Sequence, residues 1–355
     1  DVAKLIRGKL LQESALYLLA SNISACDEVW VVSRGAGENL RSIGYHGDYH
    51  VMENGVDMPR GRVSETEVIA ATADYDLPEG VPVFLFVGRM MWYKGLRIIL
   101  DALKLLQASG QDFRMVFIGG GTDKDEITAY AASLDLSGKV CFCQPIHDRE
   151  LIRAWYCRAD LFLFPSTFDT NGLVVREAAA CALGSVLIAG SCAAEDVTDG
   201  VNGFLIEENA ESMAAKLLEL CAAPEAMARI GAGAQRDIYM SWEQAVDRAY
   251  ARYFDVIDNY RRGLYPKHEK ISDEMYKTMA NYLDSAGRAR EAQRRRAEEL
   301  RRSYESLVDG ITGDRERLIS EMRMNRDLVK DDLDESRARL KERLDELTDR
   351  IDRFL

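Results

Sequence analysis

Phe164-Pro165-Ser166-Thr167-Phe168-Asp169-Thr170-Asn171-Gly172-Leu173-Val174-Val175-Arg176-Glu177-Ala178 is the stretch on which the reading of this chain turns. An apolar run over 161–164 leads into it, a polar loop follows, and the spacing predicts a helix over 174–182. A short apolar strand that stops at a loop and hands over to a helix is half of a βαβ unit. The first N–H groups of a helix have no partner inside it, so those of Gly172, Leu173 and Val174 are expected to face a ligand. Asp169 stands in the loop, and Glu177 a little over one turn into the helix. The two oxygens of a carboxylate match two O–H donors, which suits a pair of vicinal hydroxyls. The plainer alternative makes Asp169 a helix cap and Glu177 a surface residue.

Working upstream, 83–87 reads as a buried strand and 96–106 has helical spacing. Between them lies Gly88-Arg89-Met90-Met91-Trp92-Tyr93-Lys94-Gly95. Two cations beside a helix start, at the carboxyl end of a strand, suit a diphosphate. Arg89 can grip two oxygens in a fork, and Lys94 offers a point charge. The alternative is a loop with two solvated cations. Ile118-Gly119-Gly120-Gly121-Thr122 also follows a strand, where glycines let backbone approach a ligand closely. It is neither a Walker loop nor a dinucleotide fingerprint, and on its own a tight turn is the simpler meaning.

Apolar strands at 113–118, 140–143, 186–188 and 204–206 continue the series, with helices expected at 125–134, 150–156 and 193–197. Continuous apolar strands alternating with helices predict a parallel sheet covered on both faces. The fold class is therefore α/β, a doubly wound parallel sheet that binds ligands at the carboxyl ends of its strands.

The flanks read differently. A helix is expected over 3–20, a strand over 28–32, a helix around 38–42 capped by Ser33, a strand over 50–52, and a turn at Asn54-Gly55. After Gly203 helices are expected at 210–220, 224–230 and 242–260, and Pro266 closes that part. Beyond it Leu333, Leu340, Leu344, Leu347, Ile351 and Phe354 follow heptad spacing, which predicts a long helical, coiled-coil tail for self-association or protein docking. A single long helix packed on its own domain is the rival reading.

The 355 residues carry a net charge of -13, so the chain gains little from nucleic-acid phosphates and no nucleic-acid role is expected. Seven cysteines without a Cys-x-x-Cys pair point to reduced thiols in a cytoplasmic protein. No apolar run is long enough to cross a bilayer. A peripheral place at the inner face of a membrane stays open through the basic positions Lys4, Arg7 and Lys9. Asp74-Tyr75-Asp76 imitates a metal-binding pair but lies in a polar loop, and the four histidines lack ligand spacing. No metal and no cofactor are expected. The chain opens on Asp1 with no signal peptide, and the mature start is expected to lie upstream.

The stretch from Asp169 to Glu177 encloses seven residues and resembles the Glu-x7-Glu motif of family 4 glycosyltransferases, which have the GT-B fold. Four other segments resemble that family in the same order over about residues 20–262. They are the serine-led helix from Ser33, Glu53-Asn54-Gly55-Val56-Asp57, Gly88-Arg89 with Lys94-Gly95, and Gly200-Val201-Asn202-Gly203-Phe204-Leu205. The resemblance implies a retaining enzyme that moves a sugar from a nucleotide-diphosphate donor, UDP by preference, to a hydroxyl of a glycan, lipid or protein. It implies that Arg89 and Lys94 hold the diphosphate, Asp169 the sugar and Glu177 the ribose. It implies contacts from Gly88, Gly120, Asn171, Gly172 and Leu173, with the base near Gln144-Pro145-Ile146. It also implies three parts: a remnant of the acceptor domain with its hinge (1–58), the Rossmann-like donor half of a GT-B fold (59–264) and the helical tail (265–355). Such a chain is incomplete, and by itself is expected to bind donor but turn over poorly. Asp169 is one methylene shorter than the usual Glu, Asn171 replaces a frequent Phe, and Glu53 replaces Pro; these departures bear on the donor sugar. The alternatives are a sugar-nucleotide-binding scaffold tethered by its tail and, last, a GT-B epimerase.

Overall fold

A computed structural model describes residues 9–265 and 273–351. The chain divides into two compact units, 1–271 and 272–355. The first is built on six strands: β3 (Val83–Val87), β4 (Arg114–Ile118), β5 (Val140–Cys143), β6 (Leu161–Phe164), β7 (Ser185–Ile188) and β8 (Phe204–Ile206), with β1 (Trp30–Val31) and β2 (His50–Val51) in a separate sheet. All adjacent pairs are parallel, in the order β5-β4-β3-β6-β7-β8. The chain starts in the middle, winds to one edge, returns and winds to the other. That is the doubly wound pattern read from the sequence, and its switch point falls between β3 and β6.

Apart from Arg114 and Ser185 at the starts of β4 and β7, the strands are apolar because helices cover both faces. Phe84, Leu85, Phe86, Met115, Val116, Phe117 and Leu161–Leu163 have no more than a trace of exposed surface. Phe86 stacks on Phe164 at 6.1 Å between ring centroids, and Phe117 on Phe142 at 5.0 Å. These rings fix the spacing of the central strands directly beneath the loops that follow them. The connecting helices are Leu96–Ala108, Lys124–Ser133, Arg149–Arg158 and Leu173–Ala180.

A two-stranded parallel sheet, β1 (Trp30–Val31) with β2 (His50–Val51), has a small core of its own around Val29, Val31 and Tyr45. Ser33 caps the helix Arg34–Ser42 as expected, its hydroxyl accepting from the Ala36 N–H at 3.0 Å. The chain then passes Gly55, where an added Cβ would stand 2.3 Å from the Ser241 carbonyl oxygen, and Val56 pairs with Ser241. The helix Trp242–Arg261 leaves from that same point, and its Arg252 returns to Glu28 beside β1.

Two details differ from the sequence reading. A helix, Glu65–Thr72, occupies a segment for which none was expected; a capping box between Ser64 and Glu67 nucleates it despite weak amphipathicity. The helix expected at 193–197 is one 3-10 turn, Cys192–Ala194, because the segment bends back to feed β8. The Asp74-Tyr75-Asp76 loop is on the surface as read, with Asp76 paired to Arg114 at 3.0 Å and Tyr75 edge-on to Trp155.

The second unit is one 79-residue helix, Asp273–Ile351. Leu318, Met322, Val329 and Leu333 are exposed on it. The side chains of Leu340, Leu344, Leu347 and Ile351, and all of Phe354, lie outside the described residues, as do residues 3–8 of the helix expected over 3–20.

Candidate functional site

β3 and β6 are neighbours but are far apart in sequence, so the loops that leave their carboxyl ends meet over the switch point. A cleft of about 270 Å³ lies there. Gly88, Arg89 and Lys94 line it from the β3 side, and Asp169, Asn171, Gly172 and Leu173 from the β6 side. Seven of the ten candidate residues are thus brought into one cavity. Glu177, Gly120 and Ile146 do not line it.

The centre of the cleft is an ion pair. Lys94 Nζ lies 2.9 Å from Asp169 Oδ2, with both side chains mostly buried. Nζ also donates to the Phe168 carbonyl at 3.2 Å. Burial pushes the Asp169 carboxyl up, but the Lys94 ammonium and the Gly172 and Asn171 N–H groups outweigh it, and the net direction is down. Nζ lies 5.6 Å from the ring centroids of both Tyr93 and Phe164. Arg89 is exposed, its guanidinium 5.8 Å from the Tyr93 ring. Among the described residues no carboxylate pairs with it, so its fork is open to a ligand.

Asp169 lines the cleft and also ties down the turn that leads into the helix Leu173–Ala180. Oδ1 accepts from the N–H of Asn171 at 3.1 Å and of Gly172 at 2.6 Å, the two residues that lead into the helix Leu173–Ala180. One expectation is corrected here: the Gly172 N–H does not await a ligand, because Asp169 holds it. The N–H groups of Leu173 and Val174 remain as the unpaired helix start. Gly172 itself is left-handed, φ 60°, and an added Cβ would stand 2.8 Å from Ala193 Cβ. Only glycine brings the chain into the helix at this angle.

Glu177 is on the second turn of that helix, half-buried, and accepts from the Tyr156 hydroxyl at 2.9 Å. Burial pushes its carboxyl above the usual range, with Tyr156 and Arg149 pulling the other way. The surface alternative for Glu177 therefore fails. The glycine run serves packing: Cβ atoms at Gly119 and Gly121 would stand 2.0 Å from the Gly88 and 2.2 Å from the Met90 carbonyl oxygens. Gly120 packs on Pro145, and Ile146 packs on the core at the end of β5. The tight-turn meaning holds for the run, whose function is to position the Gly88–Lys94 loop. Among the described residues no cluster of three His, Cys, Asp or Glu side chains could hold a metal ion.

A second cleft, about 280 Å³, adjoins the first and shares Asn171 with it. Ser33, Arg34 and Glu53 line one side, and Glu195 and Asp196 the other. Glu195 was not legible as a site residue. Its partners, the N–H groups of Arg34 and Gly35, are more than 150 positions away, and no local motif announces them.

Fold and cleft together define a GT-B-like parallel α/β protein with its crevice at the switch point. Residues 70–237 match the family model described as glycosyl transferases group 1. It is 32% identical over 223 residues to D-inositol 3-phosphate glycosyltransferase 1 of Catenulispora acidiphila, a match covering 60% of this chain and 53% of that protein. It is 31% identical over 237 residues to D-inositol 3-phosphate glycosyltransferase of Mycobacterium tuberculosis, covering 63% and 47%. The chain thus spans about half the length of the curated relatives it matches. Among solved structures, Anabaena Alr3699/HepE in complex with UDP and glucose superposes with a TM-score of 0.60 at 20% identity, covering 68% of this chain and 67% of that one. A glycosyltransferase from Rickettsia africae gives 0.57 at 21%, covering 65% and 64%.

Proposed function

We propose that this chain binds a nucleoside diphosphate sugar, of the UDP type, and serves a retaining transfer of that sugar to an acceptor hydroxyl. The observation that carries the reading is the Lys94–Asp169 pair at the switch point, with Arg89 on the rim of the same cleft. Arg89 and Lys94 supply positive charge for a diphosphate and for the charge that grows on it as it leaves. Asp169 offers carboxylate oxygens to sugar hydroxyls, and Leu173 and Val174, at the helix start, line the same space. Glu177, held by Tyr156, is the ribose partner. The sugar C1–O bond to the diphosphate breaks, a C1–O bond to the acceptor forms, and the acceptor proton passes to the leaving diphosphate oxygen. The second cleft, sharing Asn171, is where the acceptor enters. Relatives named as glycosyltransferases, and a neighbour solved with UDP and glucose, support the class of reaction and the base.

Calorimetry with UDP, GDP and ADP tests this directly. UDP is expected to bind at least tenfold more tightly than the other two. Equal heats for all three would remove the base assignment, and no heat from any would remove the site.

A role in assembly is favoured by the tail, whose exposed Leu318, Met322, Val329 and Leu333 recur at steps of four and seven. A chain ended after Tyr265 is expected to sediment as a smaller species than its mass loss accounts for. An unchanged oligomeric state would dispose of that role.

A further inference from the structure

We infer that the second cleft takes an uncharged, polyhydroxylated acceptor, and that Glu195 and Asn171 impose this choice; the inference rests on the glycosyl-transfer reading above. An anionic acceptor group would be drawn to the start of the helix Arg34–Ser42, where backbone N–H groups converge. That position is taken. Glu195 Oε2 accepts from the Arg34 N–H at 2.7 Å, and Oε1 from the Gly35 N–H at 2.5 Å. The Ala36 N–H is held by Ser33. The approach is tight, since a Cβ on Gly35 would stand 2.3 Å from Cys192 Sγ and 3.0 Å from Glu195 Oε1. The chain therefore carries its own carboxylate where a phosphate would otherwise sit.

The rest of the lining points the same way. Glu53 and Asp196 add two more carboxylates, against Arg34 as the lining cation. Asp196 is held at 2.7 Å by the buried Arg176, and Glu53 lies 3.5 Å from Arg248. These oxygens accept from hydroxyls and repel a phosphate. Asn171 supplies an independent observation. Its Nδ2 donates to the Val32 carbonyl at 2.8 Å, which fixes the amide, and its Oδ1 is buried with no partner. The residue is only 8% exposed. An amide oxygen can only accept, so what completes it is an O–H or N–H donor. A neutral polyol brings such donors, and a phosphate dianion does not.

The relatives named for inositol 3-phosphate make this a departure open to direct test. UDP binding to the full chain is measured first. With UDP saturating, ligand-observed NMR then compares methyl α-glucoside, methyl α-mannoside and myo-inositol with glucose 6-phosphate, mannose 6-phosphate and inositol 3-phosphate. At least one uncharged member is expected to bind, and each phosphate ester at least tenfold more weakly than that member. Glu195→Gln keeps an oxygen on the helix start but removes the charge, and should shift the ratio at least tenfold toward the esters. An ester that binds the wild-type chain as tightly as its uncharged counterpart overturns the inference, as does a panel in which nothing binds beside UDP. If Glu195→Gln does not fold, the wild-type ratios decide alone. If UDP itself fails to bind, the donor reading falls instead.

Discussion

Lys94→Ala is expected to weaken UDP binding about 150-fold. A hydrogen bond to a charged group contributes up to about 3 kcal/mol, and about 1.4 kcal/mol is a factor of ten. The upper end applies because Lys94 is largely shielded from water and its removal leaves Asp169 buried beside an anionic ligand. Calorimetry reads the loss, and a change under fivefold would take Lys94 out of the site. The same variant has a pH signature. Asp169 is held below the ordinary carboxylate range, so it contributes stability at neutral pH that is lost as pH falls through its folded value. Without Lys94 the upward push of burial is less opposed, and the folded value rises. Acid unfolding should therefore begin at a higher pH, and the carboxyl carbon of Asp169 should titrate later on the way down in the wild type than in the variant. An Asp169 titration that does not move would mean that the pair is not formed in solution.

Gly95→Ala is expected to cost about 3 kcal/mol of stability. Gly95 sits at φ 77°, a conformation that costs an L-residue roughly 1–2 kcal/mol. Its added Cβ would also stand 1.9 Å from the Pro165 carbonyl oxygen, so backbone must move. Relief of such overpacking costs about 1–3 kcal/mol more. For a unit of this size the melting temperature should fall by about 6–12 °C. Gly138→Ala is the control, with nothing near its added Cβ and no left-handed backbone. A drop at Gly95 no larger than at Gly138 would show that the contact between the two loops is not tight. The contact matters because it fixes Lys94 against the segment that carries Asp169.

Much of this was legible because it is local. The strand runs over 83–87 and 161–164 have no polar interruption, and hydrophobic periodicity is the strongest signal a sequence carries. Once the sheet is parallel and doubly wound, Arg89, Lys94 and Asp169 must share one edge. That they share one cleft follows from the order of strands, which periodicity does not give. Asp169 shows where residue chemistry underdetermines role: one oxygen ties down the turn before a helix and the other pairs with a cation. Glu177 and Tyr156 meet across two helices, and Glu195 reaches a helix start far upstream, so neither contact leaves a trace in local spacing. The helix Glu65–Thr72 was missed for another reason: its cap, rather than its apolar stripe, defines it.

Because Asp169 already spends one oxygen on main-chain donors and the other on an ammonium, the resting pocket is electrically self-balanced. On the donor reading proposed above, a sugar arriving there does not fill vacant valences. It must trade places with contacts the protein makes to itself, whereas the pyrophosphate meets an arginine with nothing to give up. Recognition of the leaving group should thus dominate affinity, and the identity of the sugar should register in how readily that exchange occurs.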